Sequence, residues 1–411
     1  MKLLHAADLH IDSPLRGLSV YEGAPAEELR TASRRALENL VDLAVSESVD
    51  GVLLAGDIYD GDWPDFQTGL FFGGQMSALG REGIQVYMVS GNHDAQNRMT
   101  RQLRLPENVR MLDINEPETI HDDDRGLAVH GQGFARRDVT DNLALGYPAP
   151  CRDLFNVGLL HTALNGGRGD HDPYAPCTVS DLAAKGYDYW ALGHVHNREV
   201  VSRDPWIVFP GNLQGRHARE TGPKGCTLVT VDNLQVTSVV HRDLDVARWE
   251  HLRIDVSDAT DLDSAVDLVA RGLKELPSGR LRAVRVSVTG RTAAHLTLWR
   301  DQPRFINEVR MLANDLGELW VEKVQLETRL PDAPEEGTAG LLTDLRRTAN
   351  VLRADEDALR ELIVGSPLYT ALPAEVQGRD GIRPDDPGWL KRIGDDAVDL
   401  LEAMLTERRD R

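Results

Sequence analysis

Cysteine is scarce: Cys151, Cys177 and Cys226 are the only three in 411 residues. They cannot all pair with one another, which argues against a disulfide framework. None stands in a C-x-x-C pair, so no thiolate metal site is offered, and small buried thiols in a reducing cytoplasm are the expectation. Nowhere do about 18 apolar residues follow one another, which leaves out a membrane-spanning helix and a membrane partner. The opening stretch MKLLHAADLH carries one lysine and is interrupted by Asp8, so it reads as a strand and not as a secretory leader. An excess of basic residues is missing too: 46 Lys and Arg stand against 66 Asp and Glu, a net charge of −20. Proteins that coat nucleic acid are basic, so any phosphate-bearing partner of this chain has to be held locally, by metal ions or a confined basic patch. Internal repeats and low-complexity tracts are absent as well, which leaves ordinary globular domains.

The length suits two or three domains. Up to about residue 246, short apolar runs alternate with helical patterns. KLLHAADL, GVLLAGD, IQVYMVSGN, FNVGLLHT, YDYWALGH and WIVFPGN are continuous apolar runs of the kind found when both faces of a strand are covered. Between the first two, Ala36, Leu37, Leu40, Val41 and Ala44 recur at helical spacing. This alternation predicts an α/β layered domain over 1–246. Over 247–330 a strand, a helix, the alternating strand LRAVRVSVTGR, a second helix and a last strand predict a small α+β domain. From 331 to 411 the stretch LPDAPEEGTAG reads as a linker, followed by two amphipathic helices. One carries Leu341, Leu342, Leu345, Val351, Leu352, Leu359, Leu362 and Ile363, and the other Leu390, Ile393, Ala397, Val398, Leu401 and Leu405.

The strands of the first domain end alike. ADLH delivers Asp8 and His10, AGDIYD delivers Asp57, SGNHD delivers Asn92, His93 and Asp94, LLHT delivers His161, and LGHVH delivers His194 and His196. In open α/β sheets this carboxyl edge is where sites are built. Asp and Asn oxygens with imidazole nitrogens, and no thiolate, suit manganese, iron or zinc. The pairs Asp8/His10 and His194/His196 are spaced i, i+2, so on extended strands each pair faces one way. So many donors exceed what one ion takes and suit two, the usual device for attack on a phosphoester. Taken singly, each residue has a plainer reading as a turn, a cap or a buried core histidine. Their joint occurrence after successive apolar runs favours the metal reading.

The ordered set DLH, GD, GNHD, H and GHVH resembles the signature of the calcineurin-like metallophosphoesterases. LLHAADLHIDSPLRGL and FPGNLQGRHARETGPKG narrow the resemblance to YhaO-type DNA repair exonucleases, relatives of SbcD nuclease subunits. The resemblance implies a layered metallophosphoesterase β-sandwich flanked by helices, with a small α+β capping domain and a helical C-terminal tail. It implies two divalent ions, expected to be manganese: Asp8, His10 and His196 on the first, Asn92, His161 and His194 on the second, and Asp57 bridging. It further implies that His93 faces the substrate and that Asp94 orients and charge-supports His93. Some relatives carry His where this chain has Asp60, so that contact does not transfer. DNA, a homodimer and an SMC-like coiled-coil ATPase docked on the C-terminal helices are the partners it implies.

Secondary signals are weaker. QGRHARETGPKG gathers Arg216, His217 and Lys224 as phosphate contacts, against a plain surface pair of Arg219 with Glu220. Arg285, Ser287, Thr289 and Arg291 alternate with valines as a basic face that is a candidate DNA path. His171, with Asp170 and Asp172, reads as a loop beside the site. His5 reads as a buried, hydrogen-bonded core histidine. Three functions follow: a two-metal DNA exonuclease, with endonuclease activity also open; a phosphoesterase for a small phosphoester or cyclic nucleotide; and a weakly catalytic scaffold for DNA or the ATPase.

Overall fold

The computed structural model describes residues 1–13, 24–60, 66–96, 104–166, 173–331, 347–348, 351–352, 355–371 and 382–407. The linker beyond residue 331, the leucines at 341, 342 and 345 and the His171 loop lie outside these. The chain divides into two compact units. One comprises Met1–His251, Pro277–Arg285 and Leu316–Lys323, the other Leu252–Leu276, Val286–Asp315 and Val324–Arg411.

Two six-stranded sheets form the first unit. Strands β1 (Lys2–Ala6), β2 (Gly51–Ala55), β3 (Gln85–Val89) and β4 (Val109–Met111) run parallel, and β11 (Gly225–Asp232) and β12 (Gln235–Asp243) add antiparallel on the other side of β1. The second sheet is ordered β5 (Glu118–Asp122), β6 (Leu127–Gly131), β7 (Phe155–His161), β8 (Tyr189–Gly193), β10 (Trp206–Phe209), β9 (Glu199–Arg203), with β6, β7, β8 and β10 parallel.

Side chains alternate across each strand, so each sheet has two faces to cover. Leu3, Leu53, Tyr87 and Val89 of the first sheet pack on Val129, Phe155, Val157 and Tyr189 of the second, which makes a sandwich. The opposite face of the first sheet, with Leu4, Val52, Leu54, Val86 and Met88, packs on helices α1 (Ala26–Ser46) and α2 (Gln67–Arg81). The outer face of the second sheet packs Leu160, Trp190, Leu192 and Ile207 under Tyr147, Leu182 and Tyr187. Leu182 belongs to α4 (Val179–Ala183), which Thr178 starts with a capping box on Asp181. With both faces buried, these strands read as unbroken apolar runs. Each fully buried leucine or valine contributes about 1.5–3 kcal/mol. The short helix α3 (Asn92–Gln96) follows β3. His5 is fully buried between the Tyr189 hydroxyl (3.0 Å) and the Leu192 carbonyl (3.1 Å), as its place inside a strand suggests.

A three-stranded sheet, β13 (Ala247–Asp255), β14 (Leu281–Arg291) and β15 (Leu319–Arg329), accompanies helices α5 (Leu262–Lys274), α6 (His295–Arg300) and α7 (Gln302–Asp315). The basic face expected on β14 is not free. Arg285 makes a bidentate pair with Glu322 at 2.7 and 2.8 Å, and Arg282 pairs with Glu250. Ser287 is buried and bonds Glu327. Acidic residues on the flanking strands neutralise the arginines, a pairing invisible when β14 is read alone. In the tail, α8 (Glu356–Val364), α9 (Pro367–Thr370) and α10 (Pro387–Glu407) are helical. Leu390 is buried, while Leu362 and Ile393 stay exposed.

Candidate metal centre

The ends of β1, β2, β3, β7 and β8 meet where the carboxyl edges of the two sheets adjoin. Beyond β1 the parallel pairing persists: Asp8 N donates to Gly56 O at 3.0 Å, His10 N to Asp57 O at 3.1 Å and Ile11 N to Ile58 O at 3.0 Å. The backbone there is not extended. Asp8 (φ 51°), His10 (φ 42°), Asp57 (φ 52°) and His194 (φ 100°) all occupy the left-handed region. Such conformations cost non-glycine residues of order 1–3 kcal/mol each and collect at functional sites. The i, i+2 convergence therefore does not come from the two-residue period of a strand, as the spacing suggested. It comes from left-handed kinks that fold both side chains of each pair inward. Gly91 is needed for close approach: a methyl built there would overlap the Asp57 carboxylate, whose Oδ1 accepts from His93 N at 2.9 Å. Gly193 lies so close to the Ala55 carbonyl that no Cβ fits.

The structure brings the expected donors together in two overlapping groups, Asp8/His10/His196 and Asp8/Asp57/His161. Within each, the candidate ligand atoms lie within 4.8 Å of one another. His10 Nε2 is 3.2 Å from His196 Nε2, and His196 Nε2 is 3.9 Å from Asp8 Oδ1. On the other side His161 Nε2 is 3.0 Å from Asn92 Oδ1 and 3.5 Å from Asp57 Oδ2. Asp57 Oδ2 is also 3.9 Å from His10 Nε2, so it stands between the two halves. The His194 ring lies 5.2 Å from that of His161, and its backbone N–H bonds both oxygens of Asp8. The His161 Nδ1–H donates to the Ala55 carbonyl at 2.9 Å, so Nε2 is the nitrogen that carries the lone pair.

Burial and the charge of Asp57 push the Asp8 carboxyl well above the usual range, and burial pushes Asp57 up to about 6. Burial, then the Arg216 charge and the adjoining imidazoles, holds His10 well below its ordinary value. Buried oxygen and neutral nitrogen donors facing one another are what a divalent cation compensates. The donor set fits two such ions.

Asp94 is placed differently from expectation. Asp94 does not touch the His93 ring. Its buried carboxylate accepts from the backbone N–H groups of Ile58 (3.2 Å), Tyr59 (3.0 Å) and Gly91 (3.0 Å) and so fastens the β2 end to the β3 end. The carboxylate on His93 is that of Asp60, 2.9 Å from Nδ1. Burial opposes ionisation of Asp60, but bonds from His93 and Ser13 and the Arg216 charge outweigh it and hold the carboxyl down to about 2. For His93, burial is likewise outweighed, here by Asp60 and Asp57, and the imidazole is raised. The resemblance implied Asp94, but α3 turns the two neighbouring side chains apart.

Arg216 reaches the site, with Nη1 3.3 Å from Asp60 and Nη2 3.2 Å from Glu220. His217 is more exposed, 3.5 Å from Glu220. Lys224, expected at the mouth, is buried and donates to the His196 carbonyl at 2.8 Å, so its charge supports the His196 loop from behind. Glu220 does not form a surface pair with Arg219; it is buried, 2.7 Å from His196 Nδ1. Asp60 and Glu220 are thus the site residues that sequence reading missed. A carboxylate three residues after Asp57 was a usable signal for the first, and nothing local marked the second.

Residues 1–198 match the family described as calcineurin-like phosphoesterase, so the chain carries a calcineurin-like metallophosphoesterase domain. The family is one of phosphoester hydrolases that use divalent metals. Residues 249–329 match the family described as the middle domain of metallophosphoesterase YhaO. The chain is 37% identical over 273 residues to the "Uncharacterized metallophosphoesterase YhaO" of Bacillus subtilis (strain 168), covering 66% of each chain, a little under two thirds of that relative. It is 24% identical over 270 residues to the SbcD component of the nuclease SbcCD of Staphylococcus saprophyticus subsp. saprophyticus, covering 58% of this chain and 67% of that one. Among the described residues no helix is long and apolar enough to cross a membrane.

Proposed function

We propose that this chain is a two-metal DNA phosphodiesterase, an exonuclease with endonuclease activity also open, that works in DNA repair with an SMC-like ATPase. The carrying observation is the convergence of Asp8, His10, Asp57, Asn92, His161 and His196 at the joined sheet edges, with His194 beside them. In this reading Asp8, His10 and His196 hold one ion, Asn92, His161 and His194 the other, and Asp57 both. The ions, manganese in the first instance, supply Lewis acidity toward the phosphoryl oxygens. His93, whose imidazole Asp60 biases toward its protonated form and which is partly exposed, donates a proton to the leaving oxygen. Arg216 and His217 contact phosphate. DNA is favoured over a smaller ester by the relative whose name is that of a nuclease component, and the ATPase partner by that relative's being one part of SbcCD. The exposed Leu362 and Ile393 give the tail helices an apolar surface for that partner. A second reading, a small phosphoester substrate, is favoured by the carboxylates on Arg282 and Arg285 and by the charge of −20.

The test is manganese-dependent degradation of end-labelled DNA beside hydrolysis of bis-p-nitrophenyl phosphate, for wild type and His93→Ala. DNA degradation by wild type and none by the variant is expected. Cleavage of the small ester alone, with the ATPase partner also present, would move the reading to the small substrate.

A further inference from the structure

The two halves of the site face the same chemical problem. An imidazole that binds a cation through Nε2 must carry its proton on Nδ1, and something has to hold that proton there. For His161 the Ala55 carbonyl does so. For His196 the atom 2.7 Å from Nδ1 is Oε1 of Glu220.

Glu220 lies 24 positions further along the chain, in the stretch whose Arg216, His217 and Lys224 were read as phosphate contacts. Its side chain is 7% exposed, and backbone and side-chain N–H groups of Arg216 and Asn212 donate to it. Oε2 accepts from Arg216 N at 2.7 Å and Asn212 Nδ2 at 2.9 Å, and Oε1 accepts from Arg216 Nη2 at 3.2 Å. An ionised carboxylate only accepts. The Arg216 Nη2 also approaches His196 Nδ1, at 3.3 Å, but it has Glu220 as an acceptor, and Glu220 is the closer partner of the ring.

We infer that Glu220 is the positioning residue of the first metal half-site: it fixes His196 as the Nδ1–H tautomer and aims Nε2 at the atoms of Asp8 and His10. Through Arg216, which bonds Glu220 on one side and Asp60 on the other, the same carboxylate ties this half-site to the dyad of Asp60 and His93. The inference rests on the metal-centre reading, and its test separates the two.

The full chain is titrated with manganese in a calorimeter, as wild type and as Glu220→Gln, the closest replacement in shape. Wild type is expected to bind two ions. Glu220→Gln is expected to weaken one of them by about 10–100-fold and leave the other unchanged, the usual cost of losing a carboxylate behind a ligand histidine. The metal-free protein is then examined by ¹⁵N NMR of its imidazoles, which a purely structural role for Glu220 would not affect. His196 is expected to be protonated on Nδ1 in wild type and to become a mixture of tautomers in Glu220→Gln, because an amide both donates and accepts. Should the variant fail to fold, the wild-type tautomer still decides: a proton on His196 Nε2 overturns the inference. Two manganese sites of unchanged affinity in Glu220→Gln overturn it as well, with the metal reading intact. No manganese binding by wild type overturns both.

Discussion

The assignment of Asp60 to His93 can be tested by a double-mutant cycle. The two side chains meet at 2.9 Å and are 30% and 18% exposed, so the pair is partly shielded from water. A hydrogen bond to a charged group is worth about 1.5–3 kcal/mol, and each 1.4 kcal/mol is a factor of ten in rate. Asp60→Ala should therefore slow manganese-dependent hydrolysis of bis-p-nitrophenyl phosphate by about 10- to 150-fold. If the carboxylate acts through His93, it has nothing left to act on in His93→Ala, and Asp60→Ala should add little in that background. Asp94→Ala should behave otherwise. It strands the N–H groups of Ile58, Tyr59 and Gly91, each at a cost of about 1–3 kcal/mol. Its effect should appear as a lowered melting temperature. Additive losses for Asp60 and His93, or a clear coupling of Asp94 to His93, would refute the assignment.

Two further outcomes follow from packing and protonation. Gly193→Ala should destabilise the first unit by more than about 3 kcal/mol, since its methyl would run into the Ala55 carbonyl in the backbone of β2 and press on the His161 ring; a melting temperature within a few degrees of wild type by circular dichroism would contradict the sheet-to-sheet contact. Burial holds His5 down to about 3, against 6.5 for a free histidine. A depressed histidine is neutral in the folded state and charged in the unfolded one between those values. Its contribution is thus complete above pH 6.5 and falls by up to about 1.4 kcal/mol per pH unit as the pH drops toward 3. His5→Gln should flatten urea-denaturation midpoints over that window relative to wild type, and an unchanged slope would show that His5 is not buried neutral.

Much of the fold was legible because both faces of its central strands are covered. β1, β2, β3, β7, β8 and β10 stand out as apolar runs, and each stops at the polar residues that become the site. The less regular strands were not legible. β5 reads Glu-Thr-Ile-His-Asp with one buried residue, and β9 reads Glu-Val-Val-Ser-Arg at a sheet edge with none. Local pattern carries little signal where only one side of a strand is buried or the strand ends a sheet. The β14 arginines misled for a related reason, since their partners Glu250 and Glu322 come from other strands.

Residue order alone determined which side chains could bind metal, because a strand buried on both faces can present Asp, Asn and His only where it ends. Which carboxylate serves which imidazole was decided by the tertiary structure. Asp94 follows His93 in the chain but turns away to hold backbone N–H groups, while Asp60 and Glu220 reach His93 and His196 from other loops. The left-handed turns at Asp8, His10, Asp57 and His194 likewise have no signature in composition. The physical reason is one of range: apolar periodicity is a local property of the chain, whereas a hydrogen bond depends on where two distant segments come to rest.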